Sequence, residues 1–521
     1  MDETADRPVT LAGIVRGHAQ RQPDRTAMRW DGGSMTYAEL DVRSSRVAQA
    51  LRASGVDAGD RVAMIDKNPP EQFELFFGAA KFGAIPAPVS FRLSAPEIRA
   101  VLDDAQPAVW VVGPEFAAFA DLAGAGATVL SIGADGPGQR YDEWRDAHPA
   151  DDLQFAAAPG DTAFLLYSSG TTGSPKGIEI SHANVDSSFT IYRSLMGLDE
   201  RAAVLVALPL FHVGGTGWAL VGFIEGATNV IVRDIVPAPL AELMEREQIT
   251  HAALVPAVLQ FMLQVPGIEE RDFSALRAIL YGAAPISEPV LREALRVFGC
   301  DFYQAYGLSE TSGTTVLLAA ADHDPDGPHQ QRLRSGGVPV PGHEAKVVNP
   351  VTGEQVETGE VGEILLRGPN VMKGYWGRPD LTAAAVVDGW FRTGDAGYLD
   401  ADGYVYLHDR VKDMIVSGGE NIYSVEIERA IADHPGVAGV AVIAVPSERW
   451  GETPKAFVVP AAGGPPITET DVIDHCRQHL ASFKCPTSVE LVDVLPRNAT
   501  GKVIKKDLRA PYWEGRERSI S

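Results

Sequence analysis

The stretch best equipped to do chemistry is Tyr167-Ser168-Ser169-Gly170-Thr171-Thr172-Gly173-Ser174-Pro175-Lys176-Gly177. It follows the apolar run Ala163-Phe164-Leu165-Leu166, so a strand is expected to feed a loop dense in small and hydroxyl residues. Glycines let a backbone close around an anion and aim its N–H groups inward. The hydroxyls add donors, and Lys176 adds a positive charge suited to a polyphosphate. The spacing is not that of a Walker A loop: Pro175 stands where the second glycine would be, and Gly177 follows the lysine. A run of this kind could also be a flexible surface loop, but its length and its place after a strand favour a phosphate cradle.

Further segments of the same chemical character follow along the chain. They are Phe211-His212-Val213-Gly214-Gly215, Gly282-Ala283-Ala284-Pro285, Gln304-Ala305-Tyr306-Gly307-Leu308-Ser309-Glu310-Thr311 and Trp390-Phe391-Arg392-Thr393-Gly394-Asp395. Beyond them come Arg410-Val411-Lys412-Asp413, Ser417-Gly418-Gly419-Glu420-Asn421-Ile422 and Pro496-Arg497-Asn498-Ala499-Thr500-Gly501-Lys502. Taken singly, most have a bland alternative: a packed tyrosine, a Gly-Ala turn, a turn aspartate, a surface lysine. Taken in order and over nearly the whole chain, they resemble the adenylate-forming superfamily. That superfamily includes acyl-CoA and aryl-CoA ligases, peptide-synthetase adenylation domains and firefly luciferases.

The resemblance implies a role for each position. Ser168, Ser169, Gly170, Thr171, Thr172, Gly173 and Lys176 would hold the phosphates of ATP. Gly282, Ala283 and Ala284 would line the adenine and acyl pockets. The ring of Tyr306, beside Gly307, would lie against adenine, since a π-face stacks without needing polar partners. Ser309 stands where the family usually has threonine and keeps the hydroxyl for the α-phosphate. Glu310 is a hard oxygen ligand suited to Mg²⁺ bridging phosphate oxygens. Asp395 would accept hydrogen bonds from the ribose hydroxyls, and Arg410 would contact ribose or phosphate. Lys412 would be the hinge of a domain rotation. Lys502 would bridge the substrate carboxylate to the α-phosphate.

An acyl pocket is expected from His212, Val213, Gly214, Trp218, Phe261 and Ala305. Relatives that take α-amino acids commonly carry Asp at position 212, so an α-amino acid substrate is not expected. On the acceptor side, Arg92, Trp450 and Phe483 match positions that hold the adenosine end of coenzyme A in some relatives. Gly418 and Gly419 would form a wall for its pantetheine arm. Cys485 and Thr487, however, replace basic residues found in some coenzyme A ligases. An amine acceptor and a carrier-bound pantetheine therefore stand as alternatives to coenzyme A.

The chemistry implied is attack of a carboxylate on the α-phosphate of ATP, which replaces a hopeless leaving group with AMP and releases pyrophosphate. The obstacle is an anion meeting a polyanion. Lys502, Mg²⁺ held through Glu310 and the donors of the phosphate loop would offset it in a water-poor site.

Positioning such a site takes a large scaffold. A chain of 521 residues exceeds one compact core, so at least two domains are expected. An apolar fraction of 45% and a charged fraction of 22% are those of an ordinary globular chain. The formal charge of −24 disfavours nucleic acid or an anionic membrane as a general partner. Three scattered cysteines, an acidic N-terminus and the lack of a long apolar run point to a cytoplasmic protein without disulfides or a membrane span.

Helical spacing runs through Leu11, Ile14, Val15 and His18, and again from a capping box at Thr36–Glu39 through Leu40, Val47 and Leu51 to Gly55. Arg61–Ile65 reads as a strand, Glu74–Lys81 as a helix and Ala84–Val89 as a strand, and similar alternation recurs near 163–167, 228–232 and 278–280. The fold expected is α/β. A large N-terminal domain (1–409) would hold mainly parallel βα layers and a turn-rich β part. A small α+β C-terminal domain (410–521) would follow a hinge.

Two outcomes follow from these roles. Lys502→Ala should lose nearly all acid-dependent exchange of labelled pyrophosphate into ATP, a barrier increase of about 3–4 kcal/mol, while thiolysis of a supplied acyl-adenylate stays nearly intact; equal loss of both refutes the role. Lys412→Pro, which fixes φ and removes an N–H, should spare adenylation and slow acyl transfer, and unchanged transfer kinetics would count against a hinge there.

Overall fold

The computed structural model describes residues 9–168, 175–284, 286–410, 413–417, 420–447, 449–497 and 503–514. The chain divides into two compact units. The first comprises Met1–Glu344 and Leu366–Phe391, and the second Ala345–Leu365 and Arg392–Ser521. These units partition the chain at points other than 409/410.

The first unit is built on parallel sheets, as the βαβ pattern requires. One sheet has nine strands. Thr26–Trp30, Thr228–Ile231, Ala203–Val206, His251–Leu254, Ala278–Gly282 and Asp301–Leu308 run parallel in that spatial order. Antiparallel strands close both edges: Gly33–Thr36 on one side, Gly313–Leu318 and Val338–Pro339 on the other. A second sheet of five parallel strands contains Arg61–Ile65, Ile85–Pro88 and Val109–Val112. The segment 163–167 departs from the βαβ expectation. Thr162–Ser168 pairs antiparallel with Lys176–Ser181, whose other edge takes Gly374–Tyr375. A chain that returns within a few residues cannot form a parallel crossover, which needs a dozen or more.

Local signals set the helices. Thr36 and Glu39 form the expected reciprocal capping box at the start of Tyr37–Ala53. The helix Leu11–Arg21 buries Leu11, Ile14, Val15 and His18 on one face. Val213–Glu225 is apolar nearly all round, and the structure buries eleven of its thirteen residues. Its packing around Trp218, Leu220 and Phe223 joins the main core of the unit, with Phe73, Phe77 and Phe164.

The second unit has its own core around Ile415, Ile427, Ile431, Val442, Val458 and Cys476. There Gly451–Pro460 pairs antiparallel with Val437–Ser447 and parallel with Ser488–Leu491, and the helices Ser424–Ala432 and Glu469–His479 belong to the same unit. The three cysteines are free, and burial pushes the thiols of Cys300 and Cys476 up to about 12, so neither is a ready nucleophile. No helix among the described residues is long and apolar enough to cross a membrane.

Candidate active site

Paired strands precede and follow the expected phosphate loop. Thr162–Ser168 and Lys176–Ser181 end in register at Ser168↔Lys176. Ser169, Gly170, Thr171, Thr172 and Gly173 lie outside the described residues, as do Lys412, Gly418, Gly419 and Lys502.

Glu310 sits in a short turn, Ser309–Thr311, between the antiparallel strands Asp301–Leu308 and Gly313–Leu318. The turn is tight at Gly307, where a β-carbon would overlap the carbonyl oxygen of Gly313. The segment after Leu366 then returns across the unit and is stitched down at five residues between 369 and 376. Asn184 donates to the carbonyls of Pro369 (2.8 Å) and Val371 (2.9 Å). Met372 N–H donates to Glu310 O, Lys373 N–H to Glu179 O and Trp376 N–H to Gly177 O, at 2.8, 3.0 and 2.7 Å.

These bonds bring Tyr375 between the two charged groups. Its hydroxyl donates to Glu310 Oε1 at 3.0 Å, and Lys176 Nζ lies 5.3 Å from its ring centroid. Burial first, and the Glu310 charge second, raise the Tyr375 pKa, so the phenol keeps its proton and stays a donor. Glu310 Oε2 has no hydrogen-bond partner among the described residues. One oxygen held and one free is an arrangement that fits a phosphate-bound Mg²⁺, which takes only one or two carboxylates from protein. Tyr375 was missed in the sequence because Gly374-Tyr375-Trp376 carries no spacing signal of its own.

A cavity of about 140 Å³ opens beside this turn. Val213, Gly214, Trp218 and Ala305 line it, as do Gly282, Ala283 and Gly307. His212 does not line it but caps the helix whose next residue does. Its ring packs against Phe211 at 4.4 Å, and burial, then the positive charge of Arg92, lower its pKa to about 4. His212 is therefore neutral near pH 7. Phe261 is placed elsewhere: its helix, Pro256–Leu263, buries Val258, Leu259 and Met262, and leaves Phe261 54% exposed on the opposite face. Ala253, Leu254 and Val255, at the preceding strand end, take up that wall instead. Phe189, Tyr192, Gly217, Val221 and Thr314 also line the cavity and were not singled out in the sequence. The helical spacing 214, 217, 218, 221 was the available signal for two of them.

The remaining positions are distributed as follows. Tyr306 lies on Asp301–Leu308, opposite Val316. Ala284 follows Ala283, whose φ of 63° is left-handed. Arg92 has no ion pair among the described residues, and its guanidinium lies 5.7 and 6.0 Å from the Phe91 and Phe211 ring centroids. In the second unit, Asp395 and Arg410 face each other across paired strands, and Asp395 N–H is bonded to Thr393 Oγ1 at 3.0 Å. Trp450 is 47% exposed, with Arg449 at 4.6 Å over its ring. Phe483 falls in the turn Ser482–Lys484, and its side chain is outside what is described.

Residues 15–376 match the family model for an AMP-binding enzyme, and residues 426–502 match the C-terminal domain of the same enzymes. The chain belongs to the AMP-binding enzyme family. This AMP-binding enzyme is 39% identical over 522 residues to a fatty acid–[acyl-carrier-protein] ligase, ScoC, of Streptomyces coeruleorubidus, covering 98% of each chain. It is 38% identical over 497 residues to a feruloyl-CoA synthase of an Amycolatopsis species, covering 95% of this chain and 97% of the relative. Its fold matches the crystal structure of ATP-bound MatB from Rhodopseudomonas palustris with a TM-score of 0.86 at 32% identity, over 96% and 99% of the two chains. The resemblance to adenylate-forming enzymes and the α/β fold with a small C-terminal part therefore hold. The AMP-binding enzyme is a ligase that uses ATP to activate a carboxylic acid as an acyl-adenylate.

Tyr375→Phe keeps the ring beside Lys176 and removes only the donor to Glu310. Hydrogen bonds to charged groups contribute about 1.5–3 kcal/mol, and partial exposure places this one at the low end. The rate of acid-dependent pyrophosphate release should fall about tenfold, with a higher Mg²⁺ concentration needed for half-maximal rate. An unchanged Mg²⁺ dependence would show that Tyr375 is only packing.

Proposed function

We propose that the enzyme is an AMP-forming acid–thiol ligase whose acceptor is coenzyme A. In the first half-reaction, Lys176 and the hydroxyl and N–H donors of 168–173 hold the triphosphate. Tyr306 and Gly282–Ala284 flank the adenine, and Ser309 donates to the α-phosphate. When bound through Glu310, Mg²⁺ neutralises phosphate charge. Asp395 and Arg410 hold the ribose. Lys502 pairs with the attacking carboxylate, so that the carboxylate oxygen reaches phosphorus and pyrophosphate leaves. The single observation that carries the site assignment is the Lys176–Tyr375–Glu310 group, which joins a phosphate-binding cation to a carboxylate fixed at one oxygen.

In the second half-reaction a thiol attacks the acyl carbon and AMP leaves. His212, neutral through burial, stands at the N-cap of the helix that lines the acyl pocket and adds no charge there. For coenzyme A, Arg92 offers phosphate a guanidinium without an ion pair among the described residues, and Trp450 offers adenine an exposed indole. Gly418–Gly419 is the assigned wall for the pantetheine arm, and Lys412 the hinge.

A second acceptor has specific support. Cys485 is 7% exposed and directs its Sγ towards the Leu480 and Ala481 carbonyls. The Thr487 hydroxyl donates to Pro454 O at 3.2 Å. Lys484 Nζ is held between both oxygens of Glu426 at 2.7 and 2.8 Å. None of the three presents a free positive charge to a nucleotide phosphate. A pantetheine on a carrier protein has the same thiol without the adenosine phosphates, and the ScoC relative is named for such an acceptor.

The deciding measurement is product mass after incubation with ATP, Mg²⁺ and an activated acid in the presence of coenzyme A, a pantetheinylated carrier protein, or a simple amine. Acyl-coenzyme A as the dominant product is expected. Acylated carrier with no acyl-coenzyme A would move the assignment to carrier loading, and amide alone would remove a thiol acceptor altogether.

A further inference from the structure

The cavity beside Glu310 defines the acid that the enzyme takes, given that it adenylates a carboxylic acid. Its size is the first constraint. An apolar cavity of about 150 Å³ holds a benzene ring, and this one measures about 140 Å³. It has room for a single ring or a chain of similar bulk, not for a long acyl tail.

Shape is the second. One wall is the face of Val213–Glu225 that carries Gly214, Gly217, Trp218 and Val221. From Val213 to Val221 that face runs about 12 Å along the helix. At Gly217 a β-carbon would come within 2.6 Å of the Phe189 ring, so only hydrogen fits there. The opposite wall is strand-end backbone at Gly282, Ala283, Ala305 and Gly307. A wall of glycine and alanine backbone opposite a helix face that carries Trp218, with the Phe189 and Tyr192 rings beside it, makes a slot for a flat group. Trp218 stands edge-on to Tyr192, with centroids 5.8 Å apart at 85°, the arrangement that aromatic guests extend.

Polarity is the third. No charged side chain lines the cavity among the described residues, so a second carboxylate or an ammonium on the acid would be buried without a partner. The polar side-chain feature at the Trp218 level is a hydroxyl pair. Tyr192 Oη and Thr314 Oγ1 lie 2.7 Å apart, at 4% and 6% residue exposure. Two hydroxyls carry two protons, and their mutual bond uses one. No other acceptor for either hydroxyl exists among the described residues. The second proton is a buried donor on a pair of residues that both line the cavity.

From these three constraints we infer that the substrate is a neutral, single-ring aryl acid carrying an ether, hydroxyl or carbonyl oxygen that accepts a hydrogen bond from the Tyr192–Thr314 pair. Tyr192 and Thr314 are thereby specificity-determining residues.

The test is kcat/KM for pyrophosphate release over a matched set. Benzoic, phenylacetic and 3-phenylacrylic acids are each compared as methoxy and ethyl derivatives at the ortho, meta and para positions, beside hexanoic, octanoic and dodecanoic acids. A methoxy aryl acid should be best. It should exceed its ethyl counterpart by about 3–10-fold, the net worth of one buried hydrogen bond, and dodecanoic acid should fall at least tenfold lower. In the double variant Tyr192→Phe/Thr314→Val, which removes both hydroxyls while keeping their shape, the methoxy-to-ethyl ratio should drop towards one. A straight-chain acid as the best wild-type substrate overturns the inference without any variant having to fold. So does an unchanged ratio in the folded double variant. Absence of pyrophosphate release with every acid would instead overturn adenylation itself, and the substrate class with it.

Discussion

A carboxylate and an ammonium have to be kept close enough to serve one triphosphate, yet not so close that they neutralise each other. In this enzyme the tyrosine at 375 meets that constraint. Its hydroxyl takes up one Glu310 oxygen and its ring faces Lys176, so both charges are oriented while neither is spent on the other. Much of the first unit bears on keeping that residue in place. The strand Gly374–Tyr375 adds to the edge of Lys176–Ser181, and Asn184 and Asn370 tie the approach to it, the latter donating to Thr315 Oγ1 at 2.9 Å.

The same strands build the neighbouring cavity. Asp301–Leu308 carries Ala305 and Gly307 into its wall, and the antiparallel return at Gly313 places Thr314 against Tyr192. The phosphate side and the acid side thus share one piece of backbone. Under the proposed assignment, an acid in the slot and a phosphate at Lys176 would meet beside this paired-strand backbone. Preorganisation of this sort is where enzymes find most of their electrostatic stabilisation. His212, at the start of the helix that walls the cavity, is kept neutral by burial and by the nearby Arg92 charge.

Charge distribution separates the acceptor question from the activation question. In the second unit Lys484 is neutralised by Glu426, Cys485 is buried, and the Thr487 hydroxyl is bonded to Pro454 O. The exposed aromatic surface of that unit, among the described residues, is at Trp450. A net charge of −24 makes such local features decisive, because the long-range field favours no anionic partner.

The sequence alone determined the parts whose chemistry is written at short spacing. The strand leading into the glycine- and hydroxyl-rich loop, the Tyr306–Glu310 run, the capping box at Thr36–Glu39 and the parallel βα layers were legible, because backbone geometry and hydrogen-bond reach act over a few residues. Phe261 shows the limit: it was expected to line the acyl pocket, but the helix's rotation leaves it exposed and outside the cavity wall. Tertiary structure alone decided the Tyr375–Glu310 bond, across 65 residues, and the Tyr192–Thr314 pair, across 122. Such contacts depend on which strand edges meet, and that is settled by burial of the whole core rather than by any local run of residues.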